Sequence, residues 1–200
     1  MKTIDHKNLA DYLLESTFKS GITRYRKAFV IGCIVPDYIP ITYMRGFIKS
    51  KEFKGHNTES SKKYIEKRIK KLEKRKLKTS VDFFRIGIMI HYIADSFTYP
   101  HNETFCGNVR THIAYEYELH KTFNSILKRN CEKKKEIKIT ELLEYIKNQH
   151  VCYDQAEQSF INDCNFILNV CLNVLNTLMN SEEYQKLNNE KVINELITSN

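Results

Sequence analysis

The chain of 200 residues lacks tryptophan altogether and holds only 6 glycines and 3 prolines. So few turn formers disfavour a turn-rich β-sandwich and exclude collagen or a proline-rich linker. No long apolar run is present. The longest candidate, Ala28 to Met44, is interrupted by Pro36, Asp37 and Pro40, and it falls short of the roughly 20 apolar residues that a bilayer span needs. The start, MKTIDHKNLADYLLE, lacks the apolar core of about 7–15 residues that marks a secretory signal. The chain as written is therefore expected to be soluble and cytoplasmic. None of the six cysteines (Cys33, Cys106, Cys131, Cys152, Cys164 and Cys171) forms a CxxC pair or flanks a histidine in zinc-finger spacing. They read as reduced, buried thiols acting as small hydrophobes.

The charge is net +8, and its distribution is uneven. Residues 62–78 carry ten basic and two acidic side chains, which accounts for the entire excess and leaves the rest neutral. A nucleic-acid-binding face spread over the whole surface is not indicated. One basic segment on a neutral body is. It reads either as a solvated face or as a peripheral contact with anionic lipid headgroups, where each Lys or Arg contributes about 1 kcal/mol.

Apolar periodicity is helical nearly throughout. Helices are predicted over residues 6–18, 23–35 with Pro36 at the end, and 59–78 with Ile65, Ile69 and Leu72 on one face. The central helix is predicted from a Ser80 N-cap through FFRIGIMIHYIADSF, and others over 110–129, 139–149, 152–180 and 184–197. Residues 36–57 and 98–108 are expected to be irregular, and 131–138 a charged connection. No alternating run argues for a strand. The expected class is all-α, a single multi-helix domain spanning residues 1–200.

The chemistry lies with the histidines. His91 and Asp95 are four apart on the central apolar helix, and His112 and Glu116 repeat that spacing on the next one. Residues i and i+4 share a helix face about 6 Å apart, so two such side chains can hold one metal or two neighbouring metals. His101 follows Pro100 in the connecting loop, and upstream Asp37 and His56 follow Pro36 and Gly55. An unpaired carboxylate at Asp95, within IMIHYIADSF, would be costly. Zinc favours imidazole nitrogen with carboxylate oxygen, and catalytic zinc keeps a position open for water.

The strings HYIADSFTYPHN and THIAYE resemble the ligand core of the bacterial zinc-dependent phospholipase C family, which includes the phosphatidylcholine-hydrolysing and alpha-toxin types. The resemblance runs over about residues 1–120. It implies two to three zinc ions: one held by Asp37, His56, His91 and Asp95, a second by His101, His112 and Glu116, and a third by His6 with Asp95 as a bridge. In the family the amine of an N-terminal Trp completes that third site, and a chain without Trp leaves it in question. The resemblance also implies that Tyr38 and Phe53 could receive a choline group by cation–π attraction, or else simply pack a loop. It implies hydrolysis of the glycerol–phosphate bond of a phospholipid by metal-activated water, with Asp37 as base or orienter of that water. Many members carry a C-terminal β-domain, for which 200 residues leave no room. Two alternatives stand beside this reading. One is the related single-strand nuclease branch, which the net charge suits but the missing Trp-Gly start does not. The other is a metal-binding module without catalysis.

Overall fold

The structure, a computed structural model, describes residues 1–17, 23–38, 58–72, 77, 79–102, 105, 107–129 and 139–179. These form seven α-helices: α1 (Thr3–Thr17), α2 (Thr23–Tyr38), α3 (Thr58–Leu72), α4 (Ser80–Ser96), α5 (Val109–Arg129), α6 (Leu142–Gln155) and α7 (Phe160–Met179). A 3₁₀ turn, Tyr99–His101, joins α4 to α5, and no strand occurs among the described residues. The all-α class is as expected. His56, Phe53, Cys106, Cys131 and the 184–197 segment lie outside the described residues.

Helix α4 is the hub, packing against α1, α2, α3 and α7, while α5 lies on α1 and α7. Its sequence explains the position: Phe83, Ile86, Met89, Ile90, Ile93 and Ala94 are fully buried and share one broad face of the helix, wide enough to pack on several neighbours. Its start is held by a capping box. The Asp82 N–H donates to the Thr79 hydroxyl oxygen at 3.2 Å, and the Thr79 N–H donates to Asp82 Oδ2 at 3.2 Å. The N-cap is thus Thr79, one residue before the expected Ser80, because only Thr79 stands three residues ahead of a carboxylate.

Three other boundaries depart from expectation. Helix α2 runs past Pro36 to Tyr38. Proline withholds its own N–H and crowds the carbonyl four residues back, and the helix nonetheless continues for the two residues that include Asp37. Helix α3 is described as Thr58–Leu72, and Leu77, expected within a helix, is non-helical yet buried. The break expected near residues 150–151 falls instead at 156–159, where the Asn162 N–H donates to the Ser159 hydroxyl at 3.2 Å and opens α7. Of the described cysteines, Cys33, Cys164 and Cys171 are buried thiols, but Cys152 is exposed.

The tightest helix crossing is between α2 and α4, at Gly32 and Gly87. A Cβ on Gly87 would stand 2.3 Å from the Phe29 carbonyl oxygen and 2.9 Å from the Gly32 Cα. One on Gly32 would stand 2.2 Å from the Phe84 carbonyl oxygen. The obstacles are backbone atoms, so the helices themselves would have to separate. One turn beyond Gly87 lies His91, and next to Gly32 lies Cys33, so this contact sets the spacing of groups used below.

Gly87→Ala should therefore destabilise the fold by about 1–3 kcal/mol through overpacking. This is despite the roughly 1 kcal/mol that Ala normally gains over Gly within a helix. Thermal unfolding monitored by circular dichroism should show a midpoint several degrees lower, at about 3 °C per kcal/mol for a chain of this size. An unchanged or raised midpoint would contradict the close crossing.

Candidate metal centre

Four helices and the chain end converge on Asp95, which is 4% exposed. Its two oxygens face different partners. Oδ1 lies 3.2 Å from His6 Nε2 of α1 and accepts from the α-amino group of Met1 at 2.9 Å. Oδ2 lies 3.2 Å from His91 Nε2, one turn back on α4. His91 Nε2 also stands 3.6 Å from Asp37 Oδ1, which the last turn of α2 supplies. The Met1 amine reaches Glu116 Oε1 of α5 at 3.2 Å, and Glu116 in turn lies 3.3 Å from His112 Nε2. The rings of His6 and His91 stack with centroids 3.8 Å apart.

Backbone and hydroxyl contacts fix how these imidazoles present themselves. His91 Nδ1 lies 2.8 Å from the Cys33 carbonyl oxygen. A carbonyl only accepts, so Nδ1 donates, and in the neutral tautomer that this selects Nε2 is the nitrogen with the lone pair. The Thr98 hydroxyl donates to the Asp95 carbonyl oxygen at 2.7 Å, so it can only accept from His101 Nδ1, also at 2.7 Å. His101 therefore also presents Nε2 as an acceptor, and its ring stands perpendicular to that of His112, centroids 5.4 Å apart. The 3₁₀ turn bearing His101 is tied down in turn. The Tyr99 N–H donates to the Tyr115 hydroxyl at 3.2 Å. Tyr115 donates to Asp163, which also accepts from Tyr153 at 2.8 Å.

The electrostatics follow from burial and these neighbours. Burial pushes the His6 imidazole down to about 3, with the neighbouring His91 adding to the effect. The ring is then neutral at ordinary pH. Burial alone would raise the Asp95 carboxyl, but the Met1 amine, His6, His101 and His91 outweigh it and hold the carboxyl well below its usual range. Glu116 is likewise held down at about 2 against its own burial, by the His112 hydrogen bond and the Met1 amine. Burial opposes the charge on that amine, yet Asp95 and Glu116 raise it to about 10. Asp37 is raised from its ordinary value by burial, against the opposing effect of His91.

These residues fit a metal ion. His6, His91 and Asp95 offer ligand atoms that all lie within 4.8 Å of one another. Neither ring nitrogen of His6 forms a hydrogen bond, nor does the buried Oδ2 of Asp37. Ligands bound to zinc at about 2.0–2.1 Å in tetrahedral geometry stand about 3.3 Å apart, close to the 3.2 Å from Asp95 to each histidine. Acceptor atoms turned toward one another in a buried pocket repel unless a cation lies among them, a place that the Met1 ammonium fills beside Asp95 Oδ1.

The zinc-dependent phospholipase C family matches residues 5–160. The chain belongs to that family. No curated protein and no solved structure matches. The matched stretch contains every residue expected at the site, and the zinc requirement of the family agrees with the donor set gathered at Asp95.

Measured against expectation, the structure gathers His6, Asp37, His91, Asp95, His112 and Glu116 through the contacts above and sets His101 against His112. Tyr38 is 69% exposed at the end of α2. His56 and Phe53 fall outside the described residues. Sequence reasoning missed the Cys33 carbonyl, for which no side-chain signal exists, and Thr98, whose place three residues before His101 was a usable signal. Beside His6, where the resemblance implies the amine of an N-terminal Trp, the structure places the Met1 amine on Asp95. The remaining histidines serve elsewhere: His120 Nδ1 pairs with Asp5 at 2.5 Å, and His150 stacks on Phe97 with centroids 4.1 Å apart.

Residues added ahead of Met1 would turn its amine into an amide, which is neither charged nor a ligand. Leaving the facing carboxylates unanswered costs on the order of 3–5 kcal/mol. The extended chain should bind less zinc and melt lower than the same chain cleaved back to Met1, by metal analysis and thermal unfolding. Equal zinc content and equal midpoints would refute the role of the amine.

Proposed function

We propose that the chain is a zinc-dependent phospholipase C that hydrolyses the glycerol–phosphate bond of phospholipids. The observation that carries this reading is the buried Asp95 carboxylate with a histidine on each oxygen, inside a chain of this family. His91, Asp95 and Asp37, with His56, would hold one ion. His101, His112 and Glu116 would hold another. His6, the Met1 amine and the other oxygen of Asp95 would hold a third. When bound, zinc neutralises phosphoryl oxygens and lowers the pKa of water toward about 7.

The protein groups divide the remaining work. Asp37 has a partly exposed side chain and a carboxyl raised by burial, which suits a group that orients an attacking water and takes its proton. Cys33 and Thr98 hold the two imidazoles in the tautomers that leave Nε2 available. The side chains of His112 and Glu116 remain 30% and 23% exposed, so the phosphodiester enters from the α5 side. No serine or cysteine nucleophile is required. Tyr38, exposed beside Asp37, is available to a headgroup. The exposed lysines of α3, Lys62, Lys63, Lys67, Lys70 and Lys71, would add long-range attraction to an anionic surface. No helix among the described residues is long and apolar enough to cross a membrane.

Asp95→Asn and His91→Ala should each remove most bound zinc and lower hydrolysis of phosphatidylcholine by at least about a hundredfold. Zinc analysis and phosphate-ester release on one sample check this. Full activity with full zinc in either variant would overturn the assignment. A wild-type chain that cleaves single-stranded DNA in preference to lipid would shift the reading to a nuclease, and zinc without turnover on any phosphodiester would shift it to a binding module.

A further inference from the structure

Nine large apolar side chains are exposed among the described residues, and their placement is uneven. Ile31, Val81, Val151 and Ile161 are scattered singly, as surface apolar residues ordinarily are. The other five adjoin the metal centre in sequence. Ile4 is two residues from His6, Tyr38 follows Asp37, Ile113 follows His112, Tyr117 follows Glu116, and Val109 lies one turn before Ile113. Val109, Ile113 and Tyr117 recur at every fourth residue and so form one stripe along α5. They are 54%, 60% and 52% exposed. The stripe runs beside His112 and Glu116, the partly exposed residues of the centre.

Cations border this stripe. Lys2 Nζ lies 4.7 Å and Lys121 Nζ, which also pairs with Glu118 at 2.9 Å, 4.2 Å from the centroid of the Tyr117 ring. Arg110 is exposed on the first turn of the same helix. An exposed apolar strip with an aromatic ring and flanking lysines matches the boundary of an anionic lipid layer, where apolar side chains enter the acyl edge and ammonium groups meet the phosphates. The basic helix α3 offers only half of this. Its apolar side chains Ile65, Ile69 and Leu72 are spent in the core, at 3%, 0% and 4% exposure, so its outward face carries charge without anything to insert.

We propose that the Val109–Ile113–Tyr117 face of α5, bordered by Lys2 and Lys121, seats the protein on an anionic lipid surface. A lipid phosphate then lies at the exposed His112–Glu116 edge without leaving the layer. The choice of lipid as occupant rests on the phospholipase reading, but seating itself requires no turnover and is measured separately.

The test is co-sedimentation with vesicles of phosphatidylcholine alone and of equimolar phosphatidylcholine and phosphatidylglycerol, read before measurable hydrolysis. Wild type should bind the mixed vesicles more tightly, with an affinity that falls as salt rises. Ile113→Ser with Tyr117→Ser should weaken that binding by about tenfold or more, the equivalent of 1.4 kcal/mol. Zinc content and melting midpoint should stay unchanged, because both side chains are already exposed. Lys67→Gln, Lys70→Gln and Lys71→Gln together on α3 should weaken it less. The inference is overturned if wild type ignores both vesicles, if the α5 double variant binds like wild type, or if the α3 variant loses more than the α5 variant. It is also overturned if the α5 substitutions instead dissolve a dimer. Hydrolysis of a soluble short-chain phospholipid without vesicle binding would remove this inference alone. Vesicle binding without any hydrolysis would remove only the phospholipase reading.

Discussion

A carboxylate that stays ionised at 4% exposure must be answered from every side, and Asp95 is answered from α1, from its own helix and from the chain end. Alone it would neutralise itself by taking up a proton. Its surroundings prevent that. The Met1 amine supplies the positive charge, while stacked His6 and His91 bring one nitrogen to each oxygen. The same ammonium group also faces Glu116, so one charge answers two carboxylates.

The second layer of the site is largely backbone. Helix α2 touches both nitrogens of His91: the Cys33 carbonyl takes Nδ1, and Asp37, one turn later, faces Nε2. That double contact depends on how near α2 lies to α4, which the paired glycines determine. On the other side, the tyrosine pair on Asp163 steadies the turn that carries His101, through Tyr115 and the Tyr99 N–H. Both arrangements use atoms remote from any substrate to decide which nitrogen faces inward.

Much of this was legible beforehand because it follows from periodicity. Two His-x3-acid pairs on successive helices had to present each pair on one face, and the structure uses both. The helical class followed from scarce turn formers and the 3.6-residue pattern. The departures have local causes. Pro36 is compatible with a helix end, yet α2 runs two residues further, and the first of them, Asp37, faces His91. The break at 156–159 contains neither glycine nor proline. Its only mark is Ser159, capping α7. The Cys33 carbonyl could not have been foreseen, because every residue has a carbonyl and only packing selects one. The exposed stripe on α5 was hidden by the same periodicity, since apolar residues at i, i+4 and i+8 read as core until the packing shows that the neighbouring face was used instead.

The Met1 amine has a consequence for how such a centre can be dissected. The group belongs to no side chain, so no substitution removes it alone, and the buried Met1 side chain holds it in place. A scan of side chains would register His6, His91 and Asp95 through their donor atoms, whereas a loss at Met1 would report its buried side chain, 5% exposed in the core, and not its amine. The map of essential residues would then lack one member of the centre, and an intact pattern of ligand side chains would not distinguish a chain with a free amine from one whose amine is blocked.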